Sequence, residues 1–113
     1  MNKYKRLDLE LYQMHANICK TFTAPIRLMI IEQLEAGQKT VSEMEQTLNI
    51  RQATLSQHLA VLRGRGIVVS DRQGQNIYYK ISNPKILKAC KLMREVLLEQ
   101  IERNNTLLSG RRA

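Results

Sequence analysis

Tryptophan is absent from this chain, phenylalanine occurs once and tyrosine four times, so the core must be filled by aliphatic side chains and methionine. Only two cysteines are present, at positions 19 and 90. Two thiols so far apart do not make a secreted disulfide framework, and they are expected to stay reduced. No apolar run comes near the roughly 20 residues that would cross a bilayer. Met1-Asn2-Lys3-Tyr4-Lys5-Arg6 has no apolar signal core behind it, which points to the cytoplasm and away from any membrane. Internal repeats and low-complexity segments are missing as well. Acidic residues are few, 10 against 18 lysines and arginines, leaving a net charge of +8. That excess favours a polyanionic partner, and nucleic acid is the commonest one for a small basic protein. A length of 113 residues suits one domain with a core and is too short for two.

The most informative stretch that is present runs from Ile50 to Val68. Leu55, Leu59 and Leu62 recur at i, i+4 and i+7, which buries one stripe of a helix. Gln52, Ala53, Ser56 and Gln57 fall on another side, and such short or amide-bearing side chains read base edges in a major groove. Thr40-Val41-Ser42-Glu43 has the spacing of a capping box. A short helix should begin there and end near Leu48, leaving Asn49-Ile50-Arg51 as the turn of a helix-turn-helix over about 40–64. Beyond Gly66, the β-branched and aromatic runs Ile67-Val68-Val69 and Ile77-Tyr78-Tyr79-Lys80-Ile81 flank a polar tip. They predict a β-hairpin over about 67–81 with positive φ at Gly74. At that tip Arg72, Gln73 and Gln75 suit a minor groove or its phosphates. Arg51 is a cation at the mouth of the recognition helix, placed for phosphate rather than for a base. His58 reads as a packed or phosphate-facing imidazole, Arg63 and Arg65 either as partners of the helix's negative end or as DNA contacts, and Tyr78 and Tyr79 as strand packing.

Around this unit the periodicity predicts a first helix over about 7–22, with Leu11, His15, Ile18 and Phe22 on one face. A second helix should run from Ile26 to Leu34, with Pro25 in its first turn and Gly37 as its stop. Asn83-Pro84 opens a last helix over about 84–104, striped by Ile86, Cys90, Met93, Leu97 and Ile101, and Asn104 to Ala113 reads as a frayed basic tail. The apolar stripes of the first and last helices exceed what so small a core can cover. Leu11, Ile18, Met93, Leu97 and Ile101 are therefore expected to pack against a second subunit.

Ser56-Gln57-His58-Leu59, Leu62-Arg63 and Gly66-Ile67-Val68 closely resemble the recognition region of the ArsR/SmtB family of bacterial and archaeal repressors. The likeness extends back to Ala24-Pro25-Ile26-Arg27-Leu28 and forward to Asn83-Pro84. It implies a mainly α winged helix-turn-helix with a two-stranded β-wing, dimerised through its first and last helices. It also implies a sequence-specific repressor that binds a pseudo-palindromic duplex operator through recognition helices about one turn of DNA apart. Arg51 stands where the family often has a capping serine, a substitution that loses about 1 kcal/mol of cap.

The family is best known for sensing metals. Its arsenic- and lead-type sensors carry Cys-Val-Cys where this chain has Thr40-Val41-Ser42, and hydroxyls do not replace thiolates for soft metals. Its zinc-type sensors use Asp and His on the last helix, which here has no His. A metal held by His15, Cys19 and Cys90 is the remaining metal alternative. One subgroup senses oxidants or reactive sulfur through an early and a late cysteine, the early one in the helix after the Arg-Leu pair. Ile30-Ile31-Glu32 has no cysteine, so the likeness is partial. Cys19 and Cys90 read either as small buried hydrophobes or as a thiol switch, with Lys20, Lys88 and Lys91 favouring the thiolates. Nothing sets a His base and an oxyanion hole around either cysteine, so neither enzyme activity nor a cofactor is expected. The rival reading is a winged helix used for protein association or RNA.

Overall fold

The computed structural model describes the backbone of residues 5–112 and the side chains of residues 8–105. Helix α1 spans Lys5–Thr21 and α2 spans Pro25–Gln33, with the proline at a first-turn position where its missing N–H is no loss. One 3-10 turn, Leu34–Ala36, extends α2 to Gly37, which leaves it at φ 132°. Helix α3 (Val41–Leu48) starts from the expected capping box. The Thr40 hydroxyl accepts from the Glu43 N–H at 3.2 Å, and the Thr40 N–H donates to Glu43 Oε1 at 3.0 Å. Asn49 closes α3 in the left-handed region, φ 56°, and the chain turns into α4 (Gln52–Gly64).

Helix α4 ends in a Schellman motif. The Gly66 N–H donates to the Arg63 carbonyl at 3.0 Å and the Ile67 N–H to the Leu62 carbonyl at 2.9 Å, with Gly66 at φ 73°. Leu62 and Ile67, the two residues that this motif brings together, are both buried. Strands β1 (Val68–Gln73) and β2 (Asn76–Ile81) then pair antiparallel, Val68 opposite Ile81 and Gln73 opposite Asn76. Gly74 takes φ 66° while Gln75 stays at negative φ, the pattern of a two-residue type II′ turn. One pairing has no counterpart in the sequence reading. Lys39 and Tyr79 exchange backbone hydrogen bonds of 3.0 and 2.8 Å, so a single residue of the α2–α3 connection lies along the outer edge of the expected two-stranded wing.

The buried core is aliphatic and methionine, as the composition requires. Ile30, Ile31 and Leu34 come from α2 and its 3-10 turn, Met44 from α3, Leu55, Leu59 and Leu62 from α4, and Ile67 and Val68 from the root of the wing. Each such side chain contributes about 1.5–3 kcal/mol by leaving water. Thr21 is buried with its hydroxyl donating to the Asn17 carbonyl at 2.9 Å.

The chain divides into two compact units, Met1–Ser82 and Asn83–Ala113. The first holds the whole core. The second is one helix, α5 (Pro84–Arg112), opened by Asn83, whose side-chain oxygen accepts from the Lys85 N–H at 3.0 Å. It runs beyond the expected stop near Asn104, because no proline interrupts it and a lone Gly110 costs a helix only about 1 kcal/mol. Of the segment expected to fray, only Ala113 lies outside the described backbone. Among the described residues no helix is long and apolar enough to cross a membrane.

Candidate nucleic-acid interface

The leucine stripe of α4 faces inward, toward α2 and α3, and this fixes which residues look outward. Ala53, Ser56, Gln57 and Ala60 recur at i, i+3, i+4 and i+7 on the opposite side, and all are exposed. They make no side-chain hydrogen bond among the described residues, so Ser56 and Gln57 keep their donors and acceptors for an outside partner. No acidic residue occurs in α4, and exposed Arg51 stands at its positive end.

Gln52 is placed differently from the rest of the expected reading set. Its side-chain amide donates to Glu45 Oε1 at 3.1 Å and to the Ser42 hydroxyl at 3.2 Å, so it lies tied against α3. The wing residues divide in the same way. Arg72 and Gln75 are exposed at the tip without a side-chain hydrogen bond among the described residues. Gln73 instead donates to Gln38 Oε1 at 3.3 Å and Asp71 Oδ2 at 3.1 Å, which holds it against the body of the domain.

Behind this face lies a set of polar contacts that sequence reading missed. Arg27 donates through Nε to His58 Nδ1 at 3.1 Å and through Nη1 to the Thr21 carbonyl at 3.1 Å, so one guanidinium joins α1, α2 and α4. His58 therefore accepts at Nδ1, which places the proton of its neutral form on Nε2. Arg65 reaches the Asn17 carbonyl at 3.3 Å, and Arg63 reaches the Ser70 hydroxyl at 3.4 Å. Both arginines thus have structural partners. Tyr78 and Tyr79 are half-buried in β2. Arg27 lay inside a stretch that the resemblance singled out, but no local pattern names a partner 31 positions away.

The residues expected to meet a second subunit are uncovered. Leu11 is 61% exposed, Met93 62%, Leu97 53% and Ile101 55%, and Ile18 is half-buried. Cys19 is exposed within one chain. Cys90 is half-buried, and that burial pushes its thiol pKa up despite the opposing charge of Arg94. The thiolate expected there from Lys88 and Lys91 is disfavoured, since desolvation outweighs the favourable charge. Among the described residues no three His, Cys, Asp or Glu side chains group to hold a metal ion.

The model of a protein family described as bacterial regulatory protein, arsR family, matches residues 24–70, from the start of α2 into β1. A biofilm growth-associated repressor of Xylella fastidiosa is 44% identical over 70 residues, 62% of this chain. The match spans 61% of that relative's length. Transcriptional repressor PagR of Bacillus anthracis is 38% identical over 82 residues, 72% of this chain and 82% of that protein. Among solved structures, Rv0081 of Mycobacterium tuberculosis shares the fold with a TM-score of 0.75 at 32% identity, over 83% of this chain and 95% of that one. With its helix-turn-helix, its wing and these matches, the chain belongs to the ArsR family of bacterial regulatory proteins.

Proposed function

We propose that two copies of this chain form a cytoplasmic transcriptional repressor that binds a pseudo-palindromic DNA duplex. The carrying observation is the exposed, acid-free outer face of α4, where Ala53, Ser56 and Gln57 stand free on a helix whose opposite side is locked in the core. Gln57 and Ser56 hydrogen-bond base edges, the Ala53 methyl meets a thymine methyl, and Arg51 and Arg72 contact phosphate. The uncovered stripes of α1 and α5 hold the protomers together and place two such faces on one side of the duplex. Exposed Cys19 is the thiol within reach of an oxidant or persulfide, with Cys90 its less reactive counterpart, and their modification releases the DNA.

Selection from a random duplex library, followed by salt-dependent affinity measurements, tests the reading. Gln57→Ala is expected to relax operator preference, by about 1–3 kcal/mol of discrimination at the base pair it reads. Arg72→Ala is expected to weaken all duplexes alike and to flatten the salt dependence by about one phosphate contact. Equal affinity for RNA, or undiminished preference in the Gln57 variant, overturns the assignment. Repeating the titration after persulfide treatment, with Cys19→Ser and Cys90→Ser alongside, tests the release; unchanged affinity of the treated native protein removes the thiols from it.

A further inference from the structure

We propose that Glu45 of α3 positions the recognition helix, acting as a carboxylate cap supplied from the neighbouring helix, with Gln52 as the side chain through which it holds α4. This inference rests on the DNA-binding reading given above. Every α-helix begins with N–H groups that its own backbone cannot satisfy, and an N-cap side chain or an acidic residue in the first turn usually answers them. Helix α4 has neither. Arg51 occupies the N-cap position in an extended conformation with no side-chain hydrogen bond, and the first turn contains no acid.

Glu45 fills both roles from outside. Its Oε2 accepts from the Gln52 N–H at 3.1 Å, and its Oε1 accepts from the Gln52 side-chain amide at 3.1 Å. Both oxygens of one carboxylate thus serve one residue, and the negative charge sits at the positive end of α4. The Ser42 hydroxyl, one turn earlier on α3, accepts from the same amide at 3.2 Å, so the Gln52 side chain spans the two helices. On the other side of the turn, the Glu45 carbonyl accepts the Asn49 N–H at 2.8 Å, the bond that closes α3. The backbone of Glu45 ends one helix and its side chain starts the next. The α3–α4 angle, and with it the presentation of Ala53, Ser56 and Gln57, is therefore pinned at this residue. Gln52 becomes a positioning residue and not a reader of bases.

Three variants of the full chain, Glu45→Ala, Glu45→Gln and Gln52→Ala, separate this role from others. Hydrogen exchange at the Gln52 amide reads the cap without any DNA. Glu45→Ala is expected to speed that exchange about fivefold, as loss of an ordinary N-cap would, and Glu45→Gln to restore most of the protection because it keeps an acceptor. In library selection, Glu45→Ala and Gln52→Ala are expected to blur the whole half-site evenly, about fivefold in preference, with Glu45→Gln close to native. Unchanged exchange in Glu45→Ala overturns the cap. A Gln52→Ala motif that becomes degenerate at one base pair alone makes Gln52 a reader and overturns its positioning role. Failure of the native protein to bind any duplex would instead refute the DNA-binding reading, and the exchange measurement would still decide the cap.

Discussion

Gly64 and Gly66 stand two positions apart and carry opposite backbone demands. Gly64 is the last residue of α4, has right-handed backbone, and a Cβ built on it would meet nothing within 4 Å. Gly66 also has open space around it, but its φ of 73° disfavours any L side chain. Gly64→Ala is thus expected to stabilise the protein by roughly 0.5–1 kcal/mol, and Gly66→Ala to destabilise it by about 1–2 kcal/mol. Urea unfolding of the two variants checks this, and equal shifts would contradict the assigned helix end. Sequence shows both glycines at the end of the helix. It does not say which one crosses into the left-handed region, because that is settled by the bonds from Gly66 to Arg63 and from Ile67 to Leu62.

Helix α3 shows how a local device acquires a pH dependence. Glu43 has its pKa lowered chiefly by the Thr40 backbone N–H, then by the Thr40 hydroxyl and by the charge of Lys39. A carboxylate that is more acidic in the folded chain binds fewer protons there than in the unfolded one. Its stabilising effect is present above the ordinary carboxylate range and is lost as pH falls through that range. Glu43→Gln keeps an acceptor but cannot titrate, so the stability difference between native and variant is expected to shrink as pH drops from 7 toward about 3. Thermal unfolding across that range measures it, and a constant gap would contradict the box. This element was legible in sequence because its four residues are consecutive. The leucine stripe of α4, a periodic spacing within one helix, and the hairpin turn at Gly74 were legible because they too are local in sequence. Contacts that join distant positions were not: Gln52 looked like a base reader until Glu45 and Ser42 claimed its amide, and Gln73 looked like a wing tip until Gln38 did.

At the scale of the whole molecule, α5 is amphipathic without a core of its own, and Leu97 lies on its apolar stripe. Each square ångström of such surface removed from water is worth about 25 cal/mol, enough over several side chains to hold two protomers together. Leu97→Glu is therefore expected to give a monomer in sedimentation and to weaken operator binding, and a stable monomer for the native chain would refute the assembly. Sequence anticipated the stripe and the charge of +8, since both are sums over residues. It missed the Lys39–Tyr79 bridge, which pins the wing at mid-length. From that anchor the hairpin runs on through Asn76 to the turn at Gly74, where Gln73 is tied to Gln38 as well. The wing is in effect a beam held at two points, by Lys39 at Tyr79 and by Gln38 at Gln73, from which only the side chains of Arg72 and Gln75 reach out unheld. A duplex that varies in groove width would then be followed by the long, unheld side chains of Arg72 and Gln75 rather than by bending of the hairpin backbone.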